Sequence, residues 1–280
     1  MMGALLLTVL MSCSQQDDVW NSDDGGAPGT SATQSVKVKI TRADDVTFAD
    51  AGIRDLCVFA YLSDSLVYAD TLSVGDGNLD IPLPLGEKLK TFAVANAGSI
   101  SDQDSLSTAV IYQDEAMQKD VFLSNIVEFK SDKSVAQVEL KLTRVVGQLV
   151  FAPQETADEL NAISDFDQLS MTFTNVASGY KVQSGDIVLD TLTCASDLKN
   201  GFGVSFYSFP TSKAAEKTNM DVAYLKGGVE VTRTKKPLDI GVEFKASKRF
   251  NVTYPILDEL YVNKAVKSVD ERYQVTETNF

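Results

Sequence analysis

From Ser35 onward, apolar and polar residues alternate with a period of two. Ser35-Val36-Lys37-Val38-Lys39-Ile40-Thr41 puts Val36, Val38 and Ile40 on one face and both lysines on the other, the pattern of a half-buried β-strand. Similar runs predict strands at Leu56–Tyr61, Leu66–Leu72, Leu89–Ala95, Val135–Leu142, Val145–Phe151, Leu169–Thr174, Ile187–Leu192, Val204–Phe209, Val222–Leu225, Val229–Thr232 and Phe250–Ile256. Turn residues separate many of them: Gly75-Asp76-Gly77-Asn78, Ser178-Gly179, Ser184-Gly185-Asp186 and Gly227-Gly228. Pro82 and Pro84 cannot donate to a ladder, so Ile81–Leu85 reads as an edge strand or an extended crossover. One segment, Ser105–Lys119, reads as a surface helix, with Leu106, Ala109, Val110 and Met117 as a partial apolar stripe. Many short strands and little helix predict an all-β fold of two β-sandwich domains that divide near Leu140.

The first residues follow a different rule. Met1–Met11 is almost wholly apolar, yet far shorter than the roughly 20 residues that span a bilayer as a helix. It suits the apolar core of a secretory signal, although no Lys or Arg precedes it. Leu10-Met11-Ser12-Cys13 resembles a bacterial lipobox, in which a small residue precedes the cysteine that carries the lipid. Cys13 is therefore the expected lipidation site, bearing a diacylglyceryl thioether and palmitate-type acyl chains. The acidic, Gly- and Pro-bearing stretch that follows cannot pack and reads as a tether. Its acids also resemble the surface-export signal of Bacteroidetes lipoproteins. The expected layout is a signal at 1–13, a flexible tether at 14–34, an N-terminal β-sandwich at 35–140 and a C-terminal one at 141–280.

Charge and chemistry narrow the function. The 39 acids against 25 bases leave a net charge of -14, and the basic stretches are short, which argues against a nucleic-acid partner. Histidine is absent, so Ser-His-Asp and Cys-His arrangements and imidazole metal sites are excluded. Cys57 reads as a small core residue and Cys194 as another or as a semi-exposed thiol, with a bridge between them the minor alternative. Adjacent acids such as Asp44-Asp45, Asp114-Glu115 and Asp158-Glu159 read as solvated surface. Asp76-Gly77-Asn78 lacks the full calcium-loop pattern, and no phosphate-binding glycine motif occurs. The expectation is a protein that is not an enzyme, with no catalytic residues, no metal and no cofactor. Trp20 lies in the tether, leaving Tyr61, Tyr68, Tyr180, Tyr207 and Tyr224 as the aromatic residues to examine for sugar stacking.

Four segments resemble the fimbrillin superfamily of Bacteroidetes. They are Ile53–Tyr61, Leu89–Gly98 with its Ala-Asn ending, Leu140–Phe151 and Lys248–Tyr254, in the family's order behind a lipobox. The resemblance implies two transthyretin-like Greek-key β-sandwiches, an outer-membrane lipoprotein exposed at the surface, and a fimbrial (pilus) subunit that supports adhesion. It implies other fimbrial subunits as partners, and host or bacterial surface glycans or proteins as adhesion targets. It also implies assembly by strand capture: an arginine-specific protease cuts behind the first strand, and a neighbour's strand replaces it. Arg42, directly after the Ser35–Thr41 strand, and Ala43 are the positions that match such a cleavage site. The tail after Ile256 carries one weak strand, which favours an anchor or accessory subunit over a stalk subunit. A surface glycan-binding lipoprotein is the alternative.

Overall fold

The computed structural model of the chain describes residues 33–43, 47–73, 78–132, 137–162, 165–197, 201–234, 238–257 and 274–279. The signal with Cys13, the tether up to residue 32, the turn residues Gly75–Gly77 and the pairs Asp44-Asp45 and Asp258-Glu259 lie outside them.

In chain order the elements are β1 (Thr33–Arg42), β2 (Asp55–Leu62), β3 (Ser65–Ser73), β4 (Asn78–Pro84), β5 (Lys88–Ala95), β6 (Ser99–Ser101) and β7 (Val110–Tyr112). Then come β8 (Phe122–Ser124), β9 (Val127–Lys130), β10 (Val138–Arg144), β11 (Gly147–Pro153), the helix α1 (Ala157–Asn161), β12 (Gln168–Lys181) and β13 (Ile187–Asp197). The chain finishes with β14 (Val204–Ser208), β15 (Thr218–Lys226), β16 (Val229–Arg233), β17 (Leu238–Val242), β18 (Lys248–Tyr254) and β19 (Gln274–Asn279). The fold is all-β, in three sheets. The first runs β3-β2-β5-β8-β10-β1-β4 with β9 on β5; the second runs β14-β11-β18-β19. The third runs β16-β15-β12-β7-β6, with β13 on β12 and β17 on β15.

Alternation explains how the layers stack. In β2, Leu56, Val58 and Ala60 face one core while Phe59 and Tyr61 face another; in β5, Leu89, Ala93 and Ala95 oppose Phe92 and Val94 in the same way. Both faces of these strands are therefore buried, so they read as continuous apolar runs. The first core closes between β2 and β5 on one side and β1, β4 and β10 on the other, so the first sheet folds over onto itself. The middle core joins Phe59, Tyr61 and Phe92 to Ile111, Ala177 and Phe209. The last packs Leu149, Phe151 and Val252 of the second sheet against Met171, Phe173 and Val222 of the third. Two strands from the first half of the chain, β6 and β7, belong to the third sheet.

Several local expectations are corrected. Ser105–Lys119 is not a helix: it forms turns, the short β7 and a loop. Its apolar residues are buried in two different cores, Leu106, Ala109 and Ile111 in the middle one and Met117 in the last, which no single helical stripe could supply. The helix lies at α1, where Thr156 and Glu159 form a reciprocal capping box. Ser178-Gly179 is not a hairpin turn but part of β12, at a register shift. A Cβ on Gly179 would sit 2.8 Å from the Tyr112 ring, so glycine lets β7 approach there. β1 begins at Thr33, two residues into the expected tether. Cys57 and Cys194 are half-buried rather than core residues and do not bridge each other, lying on β2 and β13 of different sheets.

Candidate functional site

The strand that alternation marks most clearly, β1, occupies an unusual position. Its residues 33–39 pair antiparallel with β4, and residues 38–42 pair parallel with β10. Only Val38 and Lys39 are paired on both sides. The strand is thus a staggered strap that joins β4 to the rest of the sheet. Among the described residues, β1 is the only strand that pairs with β4. Pro82 and Pro84, which fitted an edge strand, lie in β4 opposite Ser35 and Thr33.

The inward face of β1 carries Val36, Val38 and Ile40 into the first core, beside Ile81 and Leu83 of β4. Its outward face shows Lys37 and Lys39 to solvent. Burying each of the three β-branched side chains contributes roughly 1.5–3 kcal/mol. Their sum rivals the whole stability of an ordinary domain, about 5–15 kcal/mol. A chain without β1 would therefore need a substitute strand. At its start, the Gln34 side-chain amide donates to the Asp132 carbonyl (2.9 Å). Thr41 Oγ1 donates to the Glu139 carboxylate (3.3 Å).

Arg42 is the last residue of β1, not a loop residue, and it is 8 % exposed. Its guanidinium carbon lies 4.8 Å from the centroid of the Phe122 ring, and that of Arg144 lies 5.2 Å from the same ring. Arg144 is clamped by Asp120 through two bonds of 2.7 and 2.8 Å. Ala43 is exposed, but its N–H donates to the Leu142 carbonyl (3.0 Å). The structure thus brings Arg42 and Ala43 together with Phe122, Arg144 and Asp120, which sequence reasoning missed. Arg144 stood in the Leu140–Phe151 segment already singled out, but nothing in the sequence linked it to Arg42.

Other candidates separate from this site. Tyr61 and Tyr224 are fully buried and offer no ring face to a sugar, whereas Tyr68, Tyr180 and Tyr207 are half-buried against the cores. Burial, with Asp104 and Asp64 nearby, pushes the Tyr61 hydroxyl well above the ordinary range. Asp114 accepts from the Gln118 N–H, and Glu159 caps α1, its carboxyl held low by the Thr156 bonds. Lys245 and Lys248 pair with Glu277 of β19. Among the described residues, no three His, Cys, Asp or Glu side chains gather as metal ligands. No helix of the described residues is long and apolar enough to cross a membrane.

No family model and no curated protein sequence matches the chain. Solved structures do. A candidate cell adhesion protein from Bacteroides eggerthii is 13% identical, with 90% of this chain and 97% of that one covered at a TM-score of 0.53. A fimbrilin from Porphyromonas gingivalis is 12% identical, with 89% and 97% covered at 0.51. A candidate polysaccharide-binding protein from Bacteroides thetaiotaomicron is 10% identical, with 79% and 91% covered at 0.54. The chain therefore carries the fold of these Bacteroidetes structures.

Proposed function

We propose that this chain is a fimbrial subunit, an anchor, accessory or stalk protein, that supports adhesion at the bacterial surface. In this reading Cys13 holds it to the outer membrane and strand capture at β1 joins it to its neighbours. The observation that carries the proposal is the place of β1, which fills three apolar sockets and, among the described residues, is the one strand that ties β4 to the sheet. Removal of β1 uncovers the edge of β10, the edge of β4 and the sockets of Val36, Val38 and Ile40 together. Another subunit's strand, parallel to β10 and antiparallel to β4, would restore all three. The similar fold of a fimbrilin and of a candidate cell adhesion protein supports the same reading.

The test is to treat the purified protein with an arginine-specific protease in the presence of candidate partner subunits. A new N-terminus at Ala43 followed by higher oligomers is expected of a subunit that assembles by capture. A terminal anchor would keep β1 uncut even on prolonged digestion and stay monomeric. Cut protein that remains a well-folded monomer beside partner subunits would count against strand capture. Lipid anchoring is tested separately: Cys13→Ala should move the protein from membrane to soluble fractions, because two or more acyl chains are needed for stable attachment. Unchanged membrane retention would refute it.

The similarity to a candidate polysaccharide-binding protein supports a second reading, a surface glycan-binding lipoprotein. Retention on immobilised polysaccharide without co-purifying subunits would favour it.

A further inference from the structure

We infer that the Arg42–Ala43 peptide bond is closed to arginine-specific endopeptidases by the packing of Arg42 and Arg144 on Phe122, a latch on the C-terminal end of β1. What opening the latch leads to rests on the capture reading above; the latch itself rests on geometry. Such an endopeptidase needs two things. The backbone around the cut must lie extended and unpaired in its cleft, and the arginine side chain must enter its acidic pocket.

Both are withheld here. Arg42 sits opposite Leu142 in the β1–β10 ladder, and the Ala43 N–H is bonded to the Leu142 carbonyl. The guanidinium that the protease must seize is buried against Phe122. Phe122 cannot yield easily, because it is 1% exposed and its strand is bonded to both β10 and β5. Arg144 lies on the same ring with its charge met by Asp120, and the Asp120 carbonyl accepts from the Asn96 side-chain amide at 3.2 Å. To be cut, the end of β1 must first lift from β10, pulling Arg42 off the ring and Ile40 out of the core.

The reaction is ordinary hydrolysis. Water adds its oxygen to the Arg42 carbonyl carbon, the carbon–nitrogen bond breaks, and the nitrogen of Ala43 takes the proton. When reclosing outpaces cleavage, the rate follows the population of the lifted state, so a cation–π contact of this kind slows cutting by roughly tenfold or more.

The experiment uses the full chain and a trypsin-type endopeptidase, with the new N-terminus at Ala43 quantified by mass spectrometry. A synthetic peptide of residues 36–48 gives the unprotected rate. Wild type is expected to be cut at this bond at least about 100-fold more slowly than the peptide, as closed backbone and side chain both protect it. Phe122→Leu should speed cutting roughly tenfold. Arg42→Lys, still a substrate but without the planar group, should do so as well. Phe250→Leu, a core change remote from β1, serves as the control for general destabilisation. Wild type cut at the peptide's rate, or a control that accelerates cutting as much as the latch variants, would overturn the inference. Failure of capture leaves a different signature, efficient cutting of the variants with no uptake of a partner strand.

Discussion

Asn96 holds a left-handed backbone (φ 57°) at the end of β5, buried and bonded in every direction. Its Oδ1 accepts from the Arg54 N–H at 2.9 Å, and its Nδ2 donates to the Gly52 carbonyl at 3.1 Å as well as to that of Asp120. Only a side-chain amide both donates and accepts at this length, and asparagine tolerates this backbone better than most residues. Asn96→Ala is expected to cost roughly 2–4 kcal/mol, from unsatisfied buried partners and backbone strain. Urea unfolding would measure it, and a loss within error of zero would show the bonds to be incidental. Asp64 does similar work at the β2–β3 turn, accepting from the hydroxyls of Ser105 and Ser107 and from the Ser107 N–H. The Ser105 bond, then those of Ser107, hold its carboxyl below the ordinary aspartate range. Because the folded value is the lower one, the stabilisation is present above the unfolded value of about 3.9 and is lost as pH falls through the folded value. Asp64→Asn should flatten that acid limb in a plot of melting temperature against pH; an unchanged limb would assign it to other carboxyls.

Within β1, the two faces should respond in opposite ways. Val38→Asp would place a carboxylate in the first core at the one stretch paired on both sides, and should cost several kcal/mol, enough to unfold this part of the molecule. Lys37→Asp, one residue away on the exposed face, should stay within about 0.5 kcal/mol of the parent. Comparable urea midpoints for the two would mean that β1 does not face a core. This contrast was legible in the sequence, because one face of a half-buried strand prints its period directly. The strands β6, β7, β8 and β9 were not legible, since three or four residues are too few to show a period and their register is fixed by partners far along the chain. The 105–119 segment misled for a related reason: its apolar residues serve two cores, and their spacing mimics a helical stripe. The capping box at Thr156 and Glu159 was passed over, its acid taken for solvated surface, although it is the kind of signal that marks a helix start. The strap role of β1 and the stack on Phe122 were beyond reach, because both depend on which strands become neighbours.

Across the molecule, we propose two units that meet near Leu140–Arg144, interlocked rather than merely joined. The first sheet draws on residues 33–144 and the second on 147–279, but the third takes β6 and β7 from the first half. The middle core likewise draws on both halves. Calorimetry is therefore expected to show a single cooperative transition, and two separable transitions would show that the halves melt independently. The dependence of β4 on β1 also has a meaning for hydrogen exchange. Amides of β4 that are bonded to β1 can stay protected only while β1 is in place. Deuterium uptake in residues 78–84 would then report the departure of β1 from a segment that no protease has touched, and its renewed protection would time the arrival of a replacement strand.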